Sequence, residues 1–143
     1  TISLAYTYSD FEFDKYVVDG VDLGGNKIPG IPEHQFFGEL AYRHRTGLYG
    51  AWDVQYVGEF YADDANTVET DSYTVSNLRA GYVGHYGNWE IAPFFGANNI
   101  FNAYYNANVR LNAVFGRYFE PAPERNFYGG ISVRYDFGSL VAH

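Results

Sequence analysis

Cysteine and methionine are absent from the 143 residues. Without thiols there is no disulfide framework, no thiolate metal site and no cysteine nucleophile, and the redox compartment is left open. Basic residues are scarce: nine Lys and Arg stand against 17 Asp and Glu, for a net charge of -8. That balance excludes a nucleic-acid partner, which needs clustered cations against phosphate. No stretch approaches the roughly 18 uninterrupted apolar residues of a membrane-crossing helix, so a helical membrane protein is excluded. A membrane strand is not, because it is apolar on one face only and reads as moderately polar. No charged and then apolar leader opens the chain, which begins with the alternating Thr1-Ile2-Ser3-Leu4-Ala5-Tyr6. The expectation is a targeting segment already removed, or a start in the middle of something larger.

What is present is hydrophobic and aromatic. An apolar share of 47% with 15 Tyr, 12 Phe and 2 Trp is too rich for a disordered chain. Period-2 alternation is strong in two segments. From Asn126 to Phe137, one face carries Phe127, Ile131, Val133, Tyr135 and Phe137, and the other Tyr128, Ser132, Arg134 and Asp136. From Leu48 to Phe60, Leu48, Trp52, Val54, Tyr56 and Phe60 oppose Asp53, Gln55 and Glu59. Weaker alternation marks strands at Ile2 to Tyr8, Phe36 to Tyr42 and Leu78 to Tyr86. A sixth covers Trp89 to Ala97, where Pro93 cannot donate to a ladder and predicts a bulge or local break.

The connections sort by length. Thr46-Gly47 and Gly87-Asn88 have tight-hairpin chemistry, whereas residues 17–34, 61–72 and 98–125 are long. Long and short alternate, so an all-β antiparallel meander of about six strands puts every long loop on one side. Outer-membrane barrels show this asymmetry. Trp52 and Trp89 near the short-turn ends, and Phe60 near the long-loop end, suit two interfacial aromatic girdles. Six strands do not close an ordinary membrane barrel, and an open sheet in lipid leaves edge amides unsatisfied, so the chain is expected to be incomplete.

Several motifs then carry a resemblance. Asn98-Asn99-Ile100-Phe101-Asn102 with Tyr105, Asn108-Val109-Arg110-Leu111-Asn112-Ala113, Gly116 to Arg125, and the closing Tyr128 to Phe137 resemble the C-terminal end of TonB-dependent outer-membrane receptors. Pro29-Gly30-Ile31-Pro32-Glu33-His34, Asp64-Ala65-Asn66 and Asp71 to Leu78 agree in order, so the resemblance covers residues 1–137. It implies the terminal part of a 22-stranded transmembrane barrel around a plug, importing a ferric chelate or similar nutrient across the bacterial outer membrane with energy from TonB. The implied partners are the lipid bilayer, the remaining barrel strands and plug, TonB through the missing N-terminal part, and the chelate. Asn102 stands where the family has Asp, a change that keeps the hydrogen-bonding role. Residues 138–143 form a tail beyond the terminal aromatic Phe137, where family members stop.

Site candidates follow. His34, His44, His85 and His143 show no ligand spacing, so no metal site is expected, and no cofactor or catalytic group is identified. The acidic run Asp63, Asp64, Glu69 and Asp71 reads as a solvated loop in preference to a cation site. Tyr104, Tyr105, Arg110, Arg117 and Tyr118 form a mix suited to gripping an anionic, aromatic chelate; the alternative is that Arg117, Tyr118 and Glu120 only brace the loop against its neighbours through hydrogen bonds. Arg43, Asp53, Glu59, Arg79 and Arg134 are expected to face the lumen or plug. Two other readings stay open: a small stand-alone outer-membrane barrel, porin-like or an acyl hydrolase with neighbouring Ser and His, and a soluble calyx-type barrel.

Overall fold

A computed structural model describes residues 1–138; residues 139–143, and with them His143 and most of the expected tail, lie outside the described residues. Six long strands are present: β1 (Ile2–Tyr8), β2 (His34–Arg43), β3 (Leu48–Val57), β4 (Tyr73–Tyr82), β5 (Trp89–Asn98) and β6 (Asn126–Tyr135). They pair in chain order as one antiparallel meander, with a short strand Gly84–Tyr86 extending β4 along β5. Short hairpins at residues 17–22, 60–70 and 106–121 lie within the long loops, and among the described residues the only helical element is a single turn at Val114–Gly116.

The strand limits differ from the alternation in instructive places. β3 stops at Val57, short of the Phe60 that the pattern reaches, although the Gly58 amide still donates to the His34 carbonyl at 2.8 Å in the same register. β4 starts at Tyr73, earlier than the pattern shows, because Thr74 and Ser76 occupy its otherwise apolar face. Opposite Pro93 the ladder lapses without a bulge: Phe94 pairs with Gly81 and Ile91 with Gly84 in one unchanged register. Val83, stranded in that gap, donates its amide to the Gly47 carbonyl at 3.0 Å. Gly47 turns the short hairpin at φ 97°, and a Cβ there would strike the Val83 carbonyl, so only glycine serves.

Register aligns one apolar face across the whole sheet. Ile2 faces Leu40, Leu40 faces Trp52, Trp52 faces Leu78, Leu78 faces Ala97 and Ala97 faces Phe127. These side chains stay uncovered: Ile2 is 71% exposed, Ile131 68% and Val133 58%. Buried apolar residues number only Ala51, Val57, Ala62, Val75 and Ala97 among those described. A soluble calyx would seal its large apolar groups in a core, and here they form the outer skin.

The opposite face is polar and cross-braced. Arg79 Nη2 donates to Glu39 Oε2 at 2.6 Å, Asn77 Nδ2 to Asp53 Oδ2 at 2.7 Å, and Arg134 lies 3.3 Å from Glu90, its partner in register. On the same face Tyr49, Phe94 and Tyr128 lie over the cross-strand glycines Gly81, Gly130 and Gly96. A Cβ at Gly130 would sit 2.8 Å from the Phe94 ring. Gly130→Val therefore evicts that ring. The expected cost is about 1–3 kcal/mol, read as a lower unfolding midpoint of the complete protein in bilayers.

The girdles are partly as expected. Trp89, Tyr135 and Phe137 form one aromatic cluster at the short-turn end, with centroids 4.7 and 4.8 Å apart. Trp52 instead sits mid-strand, where its indole Nε1 donates to Ser76 Oγ at 2.6 Å and Ser76 donates to the Asp53 carbonyl at 3.0 Å. Ser76, 2% exposed, is thus satisfied within the apolar face. Phe60 lies above the wall, in the hairpin pairing Phe60–Tyr61 with Glu69–Thr70.

Candidate functional site

The three long loops interlock above the wall. Asn66 joins the first two: its Oδ1 accepts from the Lys27 amide at 2.7 Å and its Nδ2 donates to the Lys27 carbonyl at 2.9 Å, as a paired strand would. Asn112 joins the second to the third: its amide donates to the Ala62 carbonyl at 2.8 Å, and its Oδ1 accepts from the Asp64 amide at 2.9 Å. Both asparagines have left-handed φ, 54° and 51°, which this residue tolerates better than most. Ala62 beneath them is fully buried. Lys27 is ion-paired to Asp10 and, at 3.2 Å, to Glu12.

Three further side chains hold individual loops. Asn99, 3% exposed, exchanges bonds with Ala103 at 2.8 Å in both directions, and its own amide donates to Asn77 Oδ1 at 3.0 Å. Asn102 Oδ1 then accepts from the Arg125 amide at 2.9 Å, a role the oxygen of Asp fills equally. Asp63 is the corner of the second loop, accepting from the amides of Thr67 and Val68 and from the Thr67 hydroxyl. Burial pulls its pKa up, but these donors outweigh burial and hold the carboxyl below its ordinary range. Its contribution to loop stability is thus complete above about pH 4 and is lost as pH falls through the lower folded-state value. Hydrogen exchange should show the Thr67 and Val68 amides protected down to about pH 4 and opening below it; Asp63→Asn should abolish that pH dependence.

The five expected ligand residues divide. Tyr105 stacks on Tyr73 of the polar face, centroids 4.7 Å apart at 25°, and Tyr104 is 80% exposed beside it. Together with Phe60, Asp71 and Leu111 they line a cleft of about 290 Å³ between the second and third loops. Arg110 is not among the lining residues, although its hairpin neighbours Val109 and Leu111 are; it pairs with Glu120 at 2.5 Å, and its amide donates to the Tyr118 carbonyl at 2.8 Å. Glu120 is held below its usual range by the Asn108 amide and then by Arg110. Arg117 is exposed at the hairpin tip beside Phe115, which is 95% exposed with φ 62°. Arg110, Glu120 and the Tyr118 carbonyl thus tie the two strands of the hairpin together, whereas Arg117, one of the bracing residues weighed from sequence, is exposed at its tip.

Arg43, Asp53, Arg79 and Arg134 all lie on the polar face of the wall. Glu59 lies past the end of β3, beside Glu33 and Glu69 at a second, smaller cleft. His34 Nδ1 meets the Tyr6 hydroxyl, and His44 Nδ1 the Thr46 hydroxyl, each at 2.9 Å. Sequence reading missed Tyr73, Phe60 and Asp71 as cleft residues; only the odd-numbered alternation of β4, continued back past Val75, points to Tyr73.

Charge is unevenly placed. Acidic residues outnumber basic ones six to two over residues 9–33 and five to none over 58–72, whereas strands and short turns hold four of each. The whole acidic excess lies on the long-loop side.

Comparison with known proteins fits this geometry. The sequence profile of the family described as TonB dependent receptor-like, beta-barrel, matches residues 1–100. The siderophore receptor PiuA from Acinetobacter baumannii superposes with a TM-score of 0.72 at 23% identity, over 92% of this chain and 18% of that one. BauA, the ferric preacinetobactin receptor of the same organism, gives 0.71 at 22% identity, over 95% and 20%. At these identities the likeness is one of fold, and the chain spans about a fifth of either receptor's length.

Proposed function

The chain belongs to the TonB dependent receptor-like β-barrel family, and on that premise we propose that it supplies wall strands and three external loops of an outer-membrane receptor that imports an iron chelate or similar large nutrient. The observation that carries the reading is the two-sided sheet. Uncovered Ile, Leu, Val and aromatic side chains call for lipid, and the ion-paired opposite face calls for a wet lumen. The outer edges of β1 and β6 then pair with further strands, since lipid tolerates no unsatisfied edge.

In this reading the polar face, with Arg43, Asp53, Arg79 and Arg134, contacts a plug, and the interlocked loops form part of the external vestibule. Cargo binds there first, at the Tyr104–Tyr105 cleft among other sites. TonB, acting through a plug outside this chain, supplies the energy for passage, and the wall takes no catalytic part. The test is uptake of radio-iron chelates by cells carrying the complete receptor. Accumulation that depends on both the receptor and TonB supports the proposal; accumulation indifferent to TonB contradicts it.

A further inference from the structure

We propose that the cleft at Tyr73, Tyr104 and Tyr105 receives an uncharged or cationic planar group of the cargo and disfavours anionic chelates; this rests on the import reading above. The cleft wall is aromatic: Phe60, Tyr73, Tyr104 and Tyr105 line it, with the Tyr73–Tyr105 stack forming one side. Ring faces carry negative quadrupole density and attract cations or stack on planar neutral groups. No Lys or Arg lines the cleft, and its one ionisable carboxylate is Asp71, exposed and in no ion pair among the described residues.

The cations nearest in sequence are occupied or distant. Arg110 is bound to Glu120, Arg125 lies against the Ile100 carbonyl, and Arg117 stands at the hairpin tip. The three loops together are net negative: the first two hold eleven acidic residues against two lysines, and the third adds two glutamates against three arginines. An anionic chelate entering here meets the Asp71 carboxylate and no lining guanidinium fork to offset it. Such a cleft differs from the anionic site expected from the Tyr and Arg mix of the third loop, because neither Arg110 nor Arg117 lines it.

Two probe pairs, titrated against the complete receptor in detergent, test this. One is a ferric trihydroxamate bearing a free ammonium group against a ferric tris-catecholate; the other is metal-free, tetramethylrhodamine ethyl ester against fluorescein. The cationic member of each pair should bind at least about tenfold more tightly, and Asp71→Asn should shrink that ratio at least about threefold. Equal binding, tighter binding of the anionic members, or a ratio indifferent to Asp71→Asn overturns the inference. Should neither chelate bind while the dyes still discriminate, the import reading fails and the charge preference of the cleft stands.

Discussion

Ile131→Arg is expected to cost the barrel about 2–4 kcal/mol, whereas Ser132→Arg, one residue along the same strand, should stay within about 1 kcal/mol. Ile131 lies in the middle of β6, opposite Pro93, and is 68% exposed on the apolar face. At that depth a guanidinium meets hydrocarbon with no counter-ion. Ser132 points to the other face, next to Arg134 and Glu90, where water and ion pairs receive a new charge. Denaturant midpoints of the complete receptor in bilayers compare the two directly. Equal midpoints would mean that the two faces share one solvent.

Ser76→Ala should cost about 1–3 kcal/mol, a large effect for the loss of one oxygen. Ser76 Oγ is the acceptor for the Trp52 indole. Alanine leaves the N–H unpaired in the least forgiving solvent available to it. Trp52→Phe removes the donor, so Ser76→Ala in a Trp52→Phe background should cost at least about 1 kcal/mol less than in the parent. Additive costs in this double-mutant cycle would mean that the indole does not depend on the serine.

The wall was largely legible from the sequence, and the reason is physical. A strand between lipid and lumen has two different solvents, so its side chains must alternate, and Phe127 to Tyr135 do so almost without exception. Legibility failed where polar groups sit on the apolar face: Thr74 and Ser76 concealed the first half of β4, and the Trp52–Ser76 bond is visible only after β3 and β4 are in register. It also failed in the loops. Asn66, Asn112, Asp63 and Asn99 look like ordinary turn residues, yet each fixes backbone by hydrogen bonds, and the partners of Asn66 and Asn112 are set by tertiary structure. The ligand candidates show the same limit. Composition put three tyrosines and two arginines in one loop, but geometry tied Arg110 to Glu120 and gave the cleft Tyr73 and Asp71 from its neighbours.

The absence of cysteine from this segment makes its faces directly measurable. Single cysteines at each position from 127 to 135 of the complete receptor in bilayers, carrying a nitroxide, report collision with dissolved oxygen or with a polar nickel chelate. Positions 127, 129, 131, 133 and 135 should favour oxygen, and positions 128, 130, 132 and 134 the nickel chelate, in strict alternation. A profile without alternation, or one with its phase reversed, would contradict the assignment of lipid to the Ile131 side and water to the Arg134 side.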